Sequence, residues 1–255
     1  MDIKILIAMH KPYWIPSDSV YMPIHVGKKG KQSIGFMGDD TGNNISEKNP
    51  NYCELTGLYW AWKNLQADYI GLVHYRRYFT YKDGHNNDDK KKYVLQYSDW
   101  LNLLSKYDII VPLKRKYYIE TNYSHYAHAH NKLDLDMTRD IIKELYPEYQ
   151  DAFDQVMKQT SAHMFNMFVM KKDKFDTYCK WLFSILFKLE NRIEISSYNI
   201  TEARVFGYIS ELLLDVWINK NNIVYKEVNV TFMEKQNWLK KGTKFLLRKV
   251  DYTKN

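Results

Sequence analysis

Short apolar runs rich in β-branched residues alternate along this chain with longer stretches whose apolar residues recur at helical spacing. That alternation limits the fold more than any other feature. "IKILIAM" (3–9), "YIGLVHY" (69–75), "YDIIVP" (107–112), "MFNMFVM" (164–170) and "NIVYKEVNV" (222–230) have the length and make-up of buried strands. Helical spacing runs through 49–65, where Leu55, Leu58, Tyr59 and Trp62 share a face, with Asn49 as its cap and Pro50 in its first position. Further helices are predicted over 99–105 with Ser98 as cap, 136–146 and 147–159 divided at Pro147, 173–190 and 204–218. The segments 10–31 and 83–92 read as irregular and polar, the second as a mobile loop. Alternating strands and helices predict an α/β fold: one open, mainly parallel twisted sheet with helices on both faces.

Composition narrows the class. A hydrophobic share of 45% in 255 residues supports a real core, and no apolar run is long enough to span a bilayer. The first eleven residues lack a small-residue cleavage site and read as a strand rather than a leader. Two cysteines, Cys53 and Cys179, make neither a disulfide scaffold nor a zinc site, which fits a reducing, cytoplasmic setting. A net charge of +7 favours anionic partners. No phosphate-binding Gly-Lys-Ser/Thr loop and no G-x-G-x-x-G is present.

In open α/β sheets ligands bind beyond the carboxyl ends of the strands. Two clusters fall there: His10 and Lys11 after the first strand, and His74, Tyr75, Arg76 and Arg77 after the second. Taken singly, each is a solvated surface group or a satisfied structural histidine. Together they describe a positive crevice, in which guanidiniums form two-pronged bonds to phosphate oxygens. Strand periodicity allows Arg76 and Arg77 to point oppositely, one to phosphate and one to a carboxylate such as Glu54.

The stretches "ILIAMHKPYWIP", "DDTGNNISEKNPNYCELTGLYWAWKN", "YIGLVHYRRYF", "NMFVMKKDKFDTYCKWLFSILFKLE" and "FGYISELLL" carry a resemblance over residues 5 to about 214. The chain resembles a bacterial family of capsule and exopolysaccharide glycosyltransferases first catalogued as a domain of unknown function. The resemblance implies a single GT-A-like domain over 1–255. Within it, 1–112 would bind the nucleotide sugar, 113–235 would face the acceptor, and 236–255 form a basic amphipathic tail. It implies transfer of a sugar, galactofuranose in some members, from a nucleotide donor, expected to be UDP-linked, to a growing or lipid-linked glycan. Many GT-A enzymes hold a divalent cation with Asp-x-Asp where the strand leaves the sheet. Here that place reads His74-Tyr75-Arg76, so Arg76 and Arg77 are expected to stabilise the departing diphosphate in the cation's stead, with no metal required.

On the same resemblance Ala8, His10, Lys11, Asp40, Asn44, Ser46, Glu54 and Tyr75 line the donor pocket. His125, His130, Asn166 and Arg204 face the acceptor. By residue type alone, 39–49 is a turn-rich loop leading to a helix cap. Inverting transfer, slightly favoured here, needs a carboxylate to take the acceptor proton. Asp39, Asp40, Asp134, Asp136, Glu202 and Glu211 are the candidates. Glu211 leads, from the polar flank Arg204–Tyr208–Glu211–Asp215, unless it merely pairs with Arg204. "YSHYAHAHN" (123–131), with Asp134 and Asp136 nearby, allows a metal site but reads better as an acceptor-side loop. The tail mixes Lys240, Lys241, Lys244, Arg248 and Lys249 with Trp238, Leu239 and Phe245–Leu247, which suits peripheral attachment to the anionic inner face of the plasma membrane. The alternatives are a non-catalytic sugar-binding module and a nucleic-acid binder. The latter lacks a Lys/Arg-rich helix, a zinc pattern or an aromatic RNA-binding signature.

Overall fold

The structure is a computed structural model and describes residues 1–81 and 90–234. The loop expected at 83–92, apart from its last three residues, and the basic tail lie outside the described residues.

The first strand, β1 (Ile3–Met9), is buried on both faces, with Ile5 and Ile7 on one side and Leu6 and Ala8 on the other. Such a run is near-continuously apolar because neither face meets water. β2 (Tyr21–His25) and β3 (Met37–Gly38) extend the sheet on one flank, both parallel to their neighbours. The three prolines of 10–31 predict irregular structure, yet β2 forms within it. Pro23 is tolerated because β3 pairs with Ile24 and His25 only.

The predicted helix over 49–65 is two helices, α1 (Asn49–Tyr52) and α2 (Leu55–Asn64). They break at Cys53, whose φ is +52°, and Asn49 lies inside α1 rather than capping it. Pro50 is therefore the second residue of α1 rather than the first, still within the first turn, where its missing N–H costs nothing. β4 (Tyr69–His74) and β5 (Arg77–Thr80) then form a hairpin closed by Tyr75–Arg76, with His74 opposite Arg77. That turn contains no Gly or Asn, so the sequence carries no hairpin signal there. α3 (Tyr97–Leu104) begins with a Gln96–Asp99 capping box, not at Ser98. β6 (Ile109–Pro112) and the short β7 (Arg115–Lys116) follow.

α4 (Asn122–Ala129) replaces the expected acceptor-side loop. Thr121 caps it, exchanging bonds with Ser124, a pairing easily overlooked in "TNYS". α5 (Lys132–Leu145) and α6 (Gln150–Lys158) part at Pro147 as predicted. β8 (Ser161–Ala162) pairs with β7, and β9 (Phe168–Lys171) runs into α7 (Lys172–Glu190). α8 (Val205–Lys220) and β10 (Lys226–Phe232) are the last elements among the described residues.

Among the described residues the sheet order is β3-β2-β1-β4-β5-β10-β6-β9, and β4 also pairs with β9. The expected mainly parallel sheet is therefore mixed, with four parallel and four antiparallel pairings. Two reversals cause this. The Tyr75–Arg76 turn sends β5 back along β4, and β9 runs antiparallel between β4 and β6. The close β4–β9 approach needs Gly71, where a Cβ would lie 2.7 Å from Val169 Cγ2 and 2.8 Å from the Phe168 carbonyl oxygen. Helices cover both faces unequally. Residues of α1, α2 and α4–α8 join one core cluster with Leu6, Leu72 and Phe168. On the other face Trp100 and Leu104 of α3 join Ile5, Val73 and Val169. Each fully buried Leu, Ile or Phe in these layers contributes about 1.5–3 kcal/mol.

Candidate active site

A cleft of about 730 Å³ opens at the carboxyl ends of β1 and β4. Its walls come from Ala8 near the end of β1 and His10 just after it, Cys53 and Glu54 between α1 and α2, the hairpin residues His74–Arg77, and Arg115 of β7. Also in the wall are His125 and His130 of and after α4, Met164 and Phe165, Arg204, and Tyr208 and Glu211 of α8. Four arginines face two glutamates, so the cleft is positively charged.

The hairpin aims its two arginines differently. Arg76 donates to Glu234 at 3.0 Å and lies 4.9 Å over the Tyr75 ring. Arg77 is sunk further, 4.5 Å over the Phe165 ring and 5.8 Å over Phe232. Burial lowers its pKa, and the nearby charges of Glu211 and Glu54 favour the guanidinium. His74 Nε2 donates to the Phe165 carbonyl at 2.6 Å. Burial holds this imidazole below its ordinary pKa even though Glu54 pulls the other way. His10 meets the Tyr75 hydroxyl at 3.1 Å and is also held low, by burial first and then by Arg76 and Lys11.

The segment read from sequence as a strand over 164–170 is instead a left-handed turn followed by β9. Phe165 has φ +80° and Asn166 +52°. An aromatic residue at such an angle costs energy and marks a constrained place. The turn organises every carboxylate of the cleft. The Phe165 backbone favours the ionised form of Glu211, while its carbonyl accepts from His74. Asn166 Nδ2 donates to Glu54 at 2.6 Å and to the Gly207 carbonyl at 3.1 Å, and its Oδ1 accepts from Ser210 at 2.8 Å. Glu54 lies 4.0 Å from His74.

Glu211 is the most perturbed acid of the cleft. Burial, then the negative charge of Glu54, push its carboxyl up to about 7, against the pull of Arg77, the Phe165 backbone and Arg115. A carboxyl so poised takes up a proton readily near neutral pH.

The other expected positions separate clearly. Of the six carboxylates weighed as base, Glu211 lines the cleft and the rest do not. Asp39 is fully buried and accepts from the Gly27 and Lys28 amides at 2.8 and 3.1 Å, from Thr56 Oγ1 at 2.6 Å and from Ser46. That hub orders the 39–46 loop. Ser46 is spent there, Asn44 accepts from the Ser46 amide and donates to the Gly42 carbonyl, and Asp40 lies 4.0 Å from Lys28. Asp40, Asn44 and Ser46 are thus outside the cleft lining. So are Lys11, whose ammonium sits 5.5 Å over Tyr75, and Asn166, which acts from behind the wall. Asp134 and Asp136 accept from Tyr198 and Tyr123, each at 2.8 Å.

Arg204 does not pair with Glu211. It donates to Cys53 Sγ at 3.1 Å and lies 5.4 Å over Tyr208, while burial pushes the Cys53 thiol up to about 11. On α4, His125 and His128 share one face and both bond the buried Glu120, at 2.9 and 2.6 Å. Those bonds hold Glu120 low against its burial. His125 also stacks on Tyr117 at 3.9 Å, and His130 on Tyr208 at 4.1 Å. Among the described residues no group of three or more His, Cys, Asp or Glu side chains is arranged to hold a metal ion. Nor is any helix among them long and apolar enough to cross a membrane. Sequence reasoning missed Arg115, Phe165, Tyr208 and Cys53 as lining residues. The left-handed residues among them carry no signal, because glycine is absent where positive φ occurs.

The chain is similar in structure to the protein described as WbbM bifunctional glycosyltransferase in its apo form. The TM-score is 0.85 and the identity 35%, over 92% of this chain and 46% of that one. The present chain thus spans about half the length of that protein. No curated protein sequence matches. A family described as a domain of unknown function, DUF4422, matches residues 4–222. With most of its length so matched, this chain belongs to the DUF4422 family.

Proposed function

We propose that this protein is a glycosyltransferase that moves a sugar from a UDP-linked donor to a hydroxyl of a growing or lipid-linked glycan. The observation that carries the reading is the pairing, in one cleft, of a half-buried glutamate poised near neutrality with guanidiniums. Likeness to a bifunctional glycosyltransferase supports the class of reaction.

In this reaction the acceptor oxygen attacks the anomeric carbon and its proton passes to Glu211. The bond from the anomeric carbon to the diphosphate breaks, and the electron pair leaves with the nucleotide. Arg77 and Arg76 meet that charge at the hairpin, where preorganised donors act more strongly than water. In-line displacement inverts the anomeric centre. The site therefore needs no divalent cation, since guanidiniums occupy the strand end where a carboxylate pair would hold one. His125, His130 and Tyr208 form the acceptor wall. UDP-galactofuranose is the first donor to try, because the family resemblance includes galactofuranose transfer. The test is a panel of nucleotide sugars with the purified protein, scoring binding and turnover with and without chelator. Absence of both for every donor refutes the reading.

A further inference from the structure

Behind the cleft, outside its lining, His163 is fully buried between two acids. Its Nδ1 lies 2.5 Å from Asp215 Oδ1 and its Nε2 3.0 Å from Glu227 Oε1. Its backbone N–H donates to the second Asp215 oxygen at 2.8 Å. Carboxylates only accept, so both bonds are made when both ring nitrogens carry hydrogen. Lys114 brings its ammonium to within 3.8 Å of Asp215 in the same cluster. Removing one partner from a buried charged network costs far more than its net contribution, so the cluster holds its members in place.

Its position matters more than its chemistry. Asp215 sits one helical turn beyond Glu211 on the same face of α8. His163 sits two residues before Phe165. Segment 163–166 therefore runs along α8, bonded at both ends, His163 to Asp215 and Asn166 to Ser210 and Gly207, with the Phe165 backbone beside Glu211 between them. Glu227 ties the same imidazole to β10. The far end of that strand brings Phe232 under Arg77, and just beyond it Glu234 meets Arg76.

We propose that His163 is a positioning residue for the cleft, a buckle that fixes the left-handed Phe165–Asn166 turn against α8 so that Asn166 keeps its hold on Glu54 and the Phe165 backbone stays beside Glu211. This rests on the reading of Glu211 as the base of the transferase. The buckle stores no chemistry of its own and touches no substrate. It offsets the strain of the turn, which would otherwise relax and withdraw Asn166 and the Phe165 backbone.

The test follows the Glu211 carboxyl by NMR in protein labelled at glutamate side-chain carbons, with the resonance identified by its loss in Glu211→Gln. The Phe165 backbone favours the ionised form, so withdrawing it raises the titration midpoint. In His163→Asn the midpoint is expected to rise by about one pH unit, a tenfold change in the fraction ionised at a given pH. Donor affinity stays near wild type while kcat falls and the acid limb of its pH profile moves up by the same interval. The other titratable groups facing Glu211 are Glu54, Arg77, Arg115, Cys53, Tyr117 and Tyr208, and all remain in place. Glu227→Gln removes one arm of the buckle at a partly exposed side chain, and a smaller rise in the same direction is expected. A Glu211 midpoint unchanged from wild type in folded His163→Asn overturns the proposal. The same result in Glu227→Gln overturns it if the first variant does not fold. Lack of turnover by wild-type protein with every donor refutes the transferase reading instead, and leaves the titration result standing.

Discussion

Replacing Glu211 with glutamine should make the protein more stable and nearly inactive, for one physical reason. The carboxyl is raised from 4.5 to about 7 by burial and by Glu54. Folding therefore opposes its ionisation. The folded state binds more protons than the unfolded one between those values, so stability falls as pH rises through that window and stays reduced above it. At ~1.36 kcal/mol per pH unit the interval sets a ceiling of about 3.4 kcal/mol. Glutamine removes the buried charge, so at pH 8 Glu211→Gln should unfold at a higher temperature. Half the ceiling corresponds to roughly 3–7 °C for a chain of this size. The same substitution removes the general base, and turnover should fall about 10²–10⁴-fold. In wild type, kcat/KM should drop tenfold per unit below pH 7 and level off above it. Glu54→Gln removes the like charge and should move that limb to lower pH. Thermal unfolding at pH 6 and pH 8 and a pH–rate profile test the argument together. A Glu211→Gln variant no more stable than wild type at pH 8, with turnover within about threefold, would refute the role of Glu211.

Arg77→Ala should weaken UDP binding by roughly 10–100-fold, the worth of one charge-assisted bond of about 1.5–3 kcal/mol, and calorimetry showing unchanged affinity would remove the arginine from the donor site. Transfer should persist in EDTA, whereas loss of activity that manganese or magnesium restores would show that a cation grips the diphosphate. Gly71→Val should cost about 1–3 kcal/mol or more in urea unfolding, because its Cβ would meet Val169 Cγ2 at 2.7 Å and the Phe168 carbonyl oxygen at 2.8 Å. Deleting residues 238–255 should lower sedimentation with anionic liposomes and leave UDP affinity intact, and equally low sedimentation of both proteins would rule out a membrane role for the tail.

Much of the architecture is legible in the sequence because burial imposes periodicity. The run Ile3–Met9 is apolar throughout because both faces of β1 are covered, and the stripe Phe175–Cys179–Leu182–Leu186–Leu189 of α7 reports one buried helix face. The clustering of His10 with His74–Arg77 is also legible, since strand ends in α/β sheets point to one edge. Glu211 stands out by its place on a polar flank of an otherwise apolar helix. The direction of each strand and the company each side chain keeps come from the fold alone. Periodicity is blind to direction, so it could not show that β5 and β9 run antiparallel. The left-handed turns at Cys53 and Phe165–Asn166 have no glycine to announce them, yet they help bring Glu54 and Glu211 into one cleft. Asp39, Ser46 and Asn44 look like ligands because short polar residues serve loops and sugars alike, and only the contacts around Asp39 reveal a loop hub. The raised affinity of Glu211 for a proton belongs to no residue alone. It arises from burial and from a second carboxylate far away in sequence, a pairing that the fold creates.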